Sequence, residues 1–208
     1  MGYLTIGKLS RSGLMTPSRT SDEIVRIARE VLASEGLSGV SFDAIARRLG
    51  RSKQAVLYWY PTKHDLLAAM FLPCLEAEAE TATRSVAGAT GRSEAIGAYV
   101  RAIARFHLDD LDRFRLMYLL PQTIRQAAQE PHHRPLLDKV YPLTDRVYGS
   151  LARHLGGEPS AARRQAVAIH SAVLGLVLMF GLADNLSDPL KHDPAELIDA
   201  LVAALQAA

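Results

Sequence analysis

A single cysteine, Cys74, in 208 residues excludes an intramolecular disulfide. Its neighbours Phe71, Leu72 and Leu75 are the setting of a buried thiol acting as a small apolar side chain rather than a redox sensor. The chain also lacks an H-E-x-x-H, a G-x-S-x-G and a phosphate-binding glycine loop, and its seven histidines are scattered. No convergent catalytic set can be built from them, so neither an enzyme nor a cofactor is expected. His132 and His133 beside Glu130 come nearest to metal ligands, but adjacent histidines in a proline-rich stretch are ordinarily solvated, and no metal is expected there. No charged-then-apolar signal peptide opens the chain, which makes the cytoplasm the expected compartment. From residue 71 onward strand-like alternation and internal repeats are missing too, and helical spacing is everywhere.

Long uncharged runs are scarce. One exists, residues 166–183, AVAIHSAVLGLVLMFGLA, without a formal charge over eighteen residues. His170 and Ser171 interrupt it, Gly and Ala are frequent, and no companion span or topogenic signal accompanies it. It reads as a helix apolar on two sides, one for its own core and one for a protein partner, with no membrane partner expected.

What the chain does have is concentrated between Thr20 and Leu67. The run Thr20-Ser-Asp-Glu23 is a capping box that predicts a helix start, and Ile24, Ile27, Ala28, Val31 and Leu32 follow as one stripe up to a stop at Gly36. Ser41 can cap a second helix carrying Phe42, Ile45, Ala46 and Leu49, ended by Gly50. Only Arg51 separates that glycine from the next cap, Ser52, which opens a third helix, KQAVLYWY. On it Val56 and Tyr60 fall together, while Lys53, Gln54, Leu57 and Tyr58 fall on the other side. A fourth start follows at Thr62 with Asp65 three residues on. Second helix, short turn and third helix have the spacing of a helix-turn-helix, whose second member reads the DNA major groove. Charge agrees: residues 1–70 hold 10 Lys/Arg against 6 Asp/Glu, a net of +4, whereas residues 71–208 hold 14 against 16, a net of −2. The basic end is the one that displacement of counter-ions from phosphates would favour.

The run S-F-D-A-I-A-R-R-L-G-R-S-K-Q-A-V-L-Y-W-Y-P-T-K-H-D-L-L, within a gapless match over roughly residues 20–70, resembles the DNA-binding signature of the tetracycline-repressor (TetR) family of bacterial transcription regulators. Ser41, Ser52, Lys53, the aromatic cluster Tyr58 to Tyr60, and Pro61, Thr62, Lys63 and Leu66 carry the resemblance. Two positions depart from it: Arg51 stands where members usually have an apolar turn residue, and Leu57 where they usually have a Tyr. The resemblance implies phosphate contacts by Ser41, Ser52, Tyr58, Trp59 and Lys63. Lys53 and Gln54 suit guanine and adenine edges, Ala55 and Leu57 can meet thymine methyls, and Arg51, with Arg47 and Arg48, can add charge.

The expected architecture is therefore all-α: a flexible arm over residues 1–19 with Lys8, Arg11 and Arg19, a helix-turn-helix domain over 20–66, and a helical ligand-binding and dimerisation domain over 67–208. Further helices are expected over 93–108, 113–128 and 136–155, with Pro73 a candidate hinge and Pro121 a second kink or helix end. A last helix opens at Asp193 and Pro194. In the resembled family the last two helices build a homodimer, which presents two recognition helices to a palindromic operator in double-stranded DNA. The resemblance also implies a small-molecule inducer among the middle helices, where Tyr99, Phe106, His107, Met117, Tyr118, Tyr141, Tyr148 and His170 are the candidate lining. The whole reads as a ligand-responsive repressor. The alternative is a helical dimeric protein-interaction module with residual non-specific DNA binding.

Overall fold

The computed structural model describes residues 17–119, 134–186 and 192–207, so residues 1–16 of the expected 1–19 arm, Pro121 and the Glu130–His133 cluster lie outside the described residues. Two compact units divide the chain, Met1–Leu66 and Leu67–Ala208. All regular structure among the described residues is helical.

In the first unit α1 spans Pro17–Gly39, α2 Phe42–Leu49 and α3 Lys53–Trp59. α1 starts three residues before the expected cap at Thr20 and takes in Pro17 to Arg19, residues expected in the arm. Proline's fixed φ suits a first helical turn, which accounts for the earlier start. Gly36 breaks the helix with φ of 68°, but one more turn follows to Gly39 rather than a clean stop. The caps of α2 and α3 form as expected: Ser41 Oγ accepts from Ala44 N at 3.1 Å, and Ser52 Oγ from Ala55 N at 3.3 Å. Between them Gly50 lies at φ 66°, its N–H bonding the Arg47 carbonyl, while Arg51 N bonds the Ala46 carbonyl at 3.0 Å. That pair of bonds is a Schellman motif, which turns the chain within two residues. Ile24, Ala28, Val31, Ile45 and Val56 are fully buried and form the core of this unit, and the Tyr60 hydroxyl ties back to Ser21 Oγ at 2.7 Å.

α4, Lys63–Val86, opens at a reciprocal box in which Asp65 N donates to Thr62 Oγ1 at 3.1 Å and Thr62 N to Asp65 Oδ2 at 3.0 Å. It runs through Pro73, the candidate hinge, without ending there. Pro73 is exposed, so its ring lies on the solvent side of the helix rather than in a packed core.

In the second unit α5, Arg92–Leu108, is central, packing against α6 (Leu111–Phe114), α7 (Arg134–Leu155), α8 (Pro159–Leu186) and α9 (Pro194–Ala207). Ala95, Ile96, Tyr99, Val100, Ile103 and His107 of α5 are buried among Leu151, Ala166, Ile169, Val173, Val177 and Val202. α6 begins at an Asp110 cap, two residues ahead of the expected start, and after one turn widens into a π-helical turn, Arg115–Leu119. α9 opens as expected, with Ala195 N donating to Asp193 Oδ1 at 2.7 Å.

Candidate nucleic-acid interface and buried polar cluster

Two features stand out, one in each unit. The first is the outer face of α3. Burial of Val56 and Tyr60 orients the helix so that Lys53, Gln54 and Tyr58 project into solvent, with Tyr58 80% exposed and its ring edge-on to Trp59 at 5.5 Å. Ala55, Leu57 and Trp59 are half-buried along the edges of that face. Ser41, Arg51, Ser52 and Lys63 are all exposed, so each of the ten expected DNA-contacting residues presents at least part of its surface. Three helix N-termini, those of α2, α3 and α4, add unpaired N–H groups and positive dipole ends suited to phosphates. Several cations of this unit are held by acids: Lys53 Nζ lies 2.8 Å from Asp43 Oδ2, Arg48 pairs with Glu35, and Arg26 with Glu30. Arg47, Arg51 and Lys63 have no ion pair among the described residues.

The second feature is a polar cluster inside the second unit. Glu78 of α4, His107 of α5 and His170 of α8 are 0–1% exposed, although all three can carry charge. Glu78 Oε1 lies 2.8 Å from His107 Nε2, and the Tyr118 hydroxyl reaches both carboxylate oxygens at 2.7 and 2.8 Å. Tyr118 also lies 3.1 Å from His170 Nε2, whose Nδ1 lies 3.0 Å from the Tyr99 hydroxyl. Burial pushes the Glu78 carboxyl up. The hydrogen bond from His107, the charges of His170 and His107 and the Tyr118 bond outweigh it, holding the carboxyl below its ordinary value and therefore ionised. Desolvation lowers His170, with the opposing pull of Glu78 too small to reverse it. Burial and the nearby Glu78 raise both Tyr99 and Tyr118, keeping their hydroxyls protonated.

Of the eight expected ligand-lining residues, Tyr99, His107, Tyr118 and His170 meet in this cluster. Phe106 and Tyr148 border it, their rings 4.9 Å from His107 and 5.3 Å from His170. Met117 is buried on the π-turn, whereas Tyr141 is 59% exposed on α7 and is not among the residues brought together. The residue that sequence reasoning missed is Glu78. Its signal was present, since Met70, Cys74, Glu78, Ala82 and Val86 recur every four residues along the buried stripe of α4. No group of three or more His, Cys, Asp or Glu among the described residues has metal-holding geometry.

Residues 24–70 match the model of the bacterial regulatory proteins of the tetR family. No curated protein matches the chain. Among solved structures, the chain is similar to a bacterial regulatory protein in the tetR family from Rhodococcus RHA1, at 18% identity and TM-score 0.65, covering 91% of this chain and 96% of that one. It is likewise similar to the TetR family transcriptional regulator PfmR from Thermus thermophilus, at 18% identity and TM-score 0.64, covering 89% and 97%. A third is the transcriptional regulator FadR from Bacillus subtilis in complex with stearoyl-CoA, at 15% identity and TM-score 0.63, covering 88% and 96%.

Proposed function

We propose, since this chain is by its residues 24–70 a TetR-family transcriptional regulator with a helix-turn-helix DNA-binding domain, that it acts in the cytoplasm as a repressor. As a homodimer it reads a palindromic operator and is released by a small-molecule inducer. The observation that carries the reading is α3: a capped helix with one face buried through Val56 and the opposite face offering Lys53, Gln54 and Tyr58 to solvent. Lys53 and Gln54 read base edges, Ala55 and Leu57 meet thymine methyls, and Ser41, Arg51, Ser52, Tyr58, Trp59 and Lys63 hold phosphates.

Pairing of two copies is supported by α8. Its buried face is Ala162, Ala166, Ile169, Val173 and Val177, yet Ala168, Ser171, Gly175, Met179 and Leu182 form a second, exposed row at helical spacing. Met179 and Leu182 are 52% and 48% exposed, and a side chain added at Gly175 would meet nothing within 4 Å in its own protomer. Such a row of small and apolar side chains, on a helix of 28 residues, suits the same face of a second copy. This helix is also the one among the described residues long and apolar enough to cross a membrane. Ligand response is supported by the buried polar cluster and by the stearoyl-CoA in complex with the Bacillus neighbour of similar fold. The inducer works by binding the DNA-incompetent state more tightly, since equal affinity for both states shifts nothing. The division into an operator-reading unit, residues 20–66, and a ligand-binding and dimerisation unit, residues 67–208, belongs to the same proposal.

Selection of bound duplexes from a random pool by the purified protein at about 0.15 M salt tests it, because phosphate binding alone is weak there. Recovery of an inverted repeat is expected. Recovery of no preferred sequence from folded, dimeric protein would favour a protein-interaction module.

A further inference from the structure

We propose that the Glu78 cluster is the polar end of the effector site and that it takes a ligand bearing a nitrogen-centred cation, a primary ammonium or amidinium, on an apolar body. This rests on the reading of the second unit as ligand-responsive and names the chemistry of its ligand.

The hydrogen bonds of the cluster run one way. With neutral His170, Tyr99 donates to Nδ1, Nε2–H donates to the Tyr118 oxygen at 3.1 Å, and Tyr118 passes its own proton to Glu78. His107 Nε2–H ends on the same carboxylate. The protons of Tyr118, His170 Nε2 and His107 Nε2 are thus consumed at or on the way to Glu78, the Tyr99 hydroxyl also having the Val147 carbonyl at 3.4 Å, while acceptors are left over on Glu78 and His107. An ionised carboxylate offers about four acceptor sites, and two donors reach this one, the Tyr118 proton being shared between its oxygens. His107 Nδ1 and Arg113 Nε are buried with no hydrogen-bond partner among the described residues, and in a neutral imidazole ring Nδ1 is a bare acceptor. Leaving such acceptors unpaired in an interior is costly, and a donor-rich head satisfies them.

Charge points the same way. Among the described residues no Lys or Arg bonds Glu78; Arg113, nearby in sequence to Tyr118, is committed to the Phe106 carbonyl, the Phe106 ring and Asp110. A buried carboxylate whose charged neighbours among the described residues are the imidazoles of His107 and His170, with no Lys or Arg bonded to it, favours a ligand that supplies a permanent cation. Aromatic rings flank the acceptors, with Phe114 and Tyr118 each 5.4 Å from His107, and ring faces attract ammonium groups. Glu78, His107 and His170 are sealed, whereas Tyr118 and Tyr148, which border them, are half-buried. Tyr118 sits on the π-turn, a geometry that recurs at functional sites, and its hydroxyl is the donor that an incoming ammonium replaces. The carboxylate so engaged belongs to α4, whose first residue is Lys63, a candidate phosphate contact.

The test uses the full chain and two head-group series on fixed bodies: tryptamine, tryptophol and indole-3-acetate, then hexylamine, hexanol and hexanoate. Calorimetric titration and thermal shift at neutral pH are expected to rank the ammonium above the alcohol by tenfold or more in at least one series, with the carboxylate weakest. Glu78→Gln, folded by circular dichroism, should lose that ammonium preference and keep the alcohol's affinity. A carboxylate binding as tightly as the ammonium, no binding by either ammonium at millimolar concentration, or a preference unchanged in Glu78→Gln would overturn the assignment. The ranking is read on the native protein and stands even where the variant fails to fold. Duplex selection on the same preparation separates the two levels: an inverted repeat recovered without any ammonium preference refutes the ligand class and leaves the regulator intact.

Discussion

In the proposed reading Lys53 reaches a base edge by leaving Asp43, and that makes Asp43 the most informative residue to change. The pair is close, at 2.8 Å, but both side chains are largely in water, Lys53 49% and Asp43 66% exposed. An exposed pair of this kind contributes about 0.2–1 kcal/mol. On the proposed operator each of two reading heads would give it up, so a dimer would lose about 0.4–2 kcal/mol, equal to about 2- to 30-fold in affinity. Asp43→Asn keeps the shape, removes the competitor and should tighten operator binding by that factor. Asp43 also lies in the first turn of α2, where a carboxylate favours the helix dipole, so the variant should melt slightly earlier, by about 0.3–1 kcal/mol. Fluorescence anisotropy with the selected duplex measures affinity, and a cycle with Lys53→Ala isolates the pair. The gain should vanish in the Lys53→Ala background. Unchanged or weaker binding by Asp43→Asn, or an equal gain with and without Lys53, would refute the reasoning.

Three further outcomes are expected. Lys63→Ala should weaken binding to all sequences and reduce the salt slope by about one unit per contact, whereas Gln54→Ala should relax preference at one base pair; equal loss of specificity in both would reject this division of labour. Met179→Glu should leave the helical signal intact but yield a monomer by light scattering, with operator affinity falling by about 10²–10⁴ as the linked second head is lost; a dimer of unchanged strength would remove α8 from the interface. Stability should fall on the acid side in two stages. His170 is held below its ordinary value of 6.5 by burial, so the unfolded chain takes the proton first and stability drops as pH falls below about that value. Glu78 is held below 4.5 by its partners, so its contribution is full above that pH and is lost as pH falls through the lower folded value. Melting His170→Phe across pH 4–8, a range spanning about the ordinary carboxylate and imidazole values, should show the upper stage missing; an unaltered profile would contradict the assignment.

The parts of the molecule legible in sequence are those fixed by near neighbours. Ser41, Ser52 and the Thr62–Asp65 box each act within three residues, and each forms the bonds its spacing predicts. Gly50 needed nothing beyond a helix end before it and a cap after it. What escaped depended on distant partners. Glu78 stands in a run of alternating glutamates and alanines that resembles a solvated helix face, and its burial is decided by His107, Tyr118 and His170 from three other elements. The π-turn at Arg115–Leu119 likewise carries an ordinary helical pattern, so spacing alone predicts a continuous α-helix there. At Pro73 the sequence left a kink and a helix end open, and the helix continues through it, at an exposed position. Of the ligand candidates, aromatic and histidine identity selected Tyr99, His107, Tyr118 and His170 together with Tyr141, and only tertiary packing separates the exposed one from the rest.

Affinity for the selected inverted repeat and for a scrambled duplex of the same composition, both at about 0.15 M salt, together with the number of protomers per duplex, tests the central claim most directly. A dimeric sequence reader predicts a ratio of about 10³ or more and two protomers on one duplex. Equal affinity for the two duplexes would contradict it.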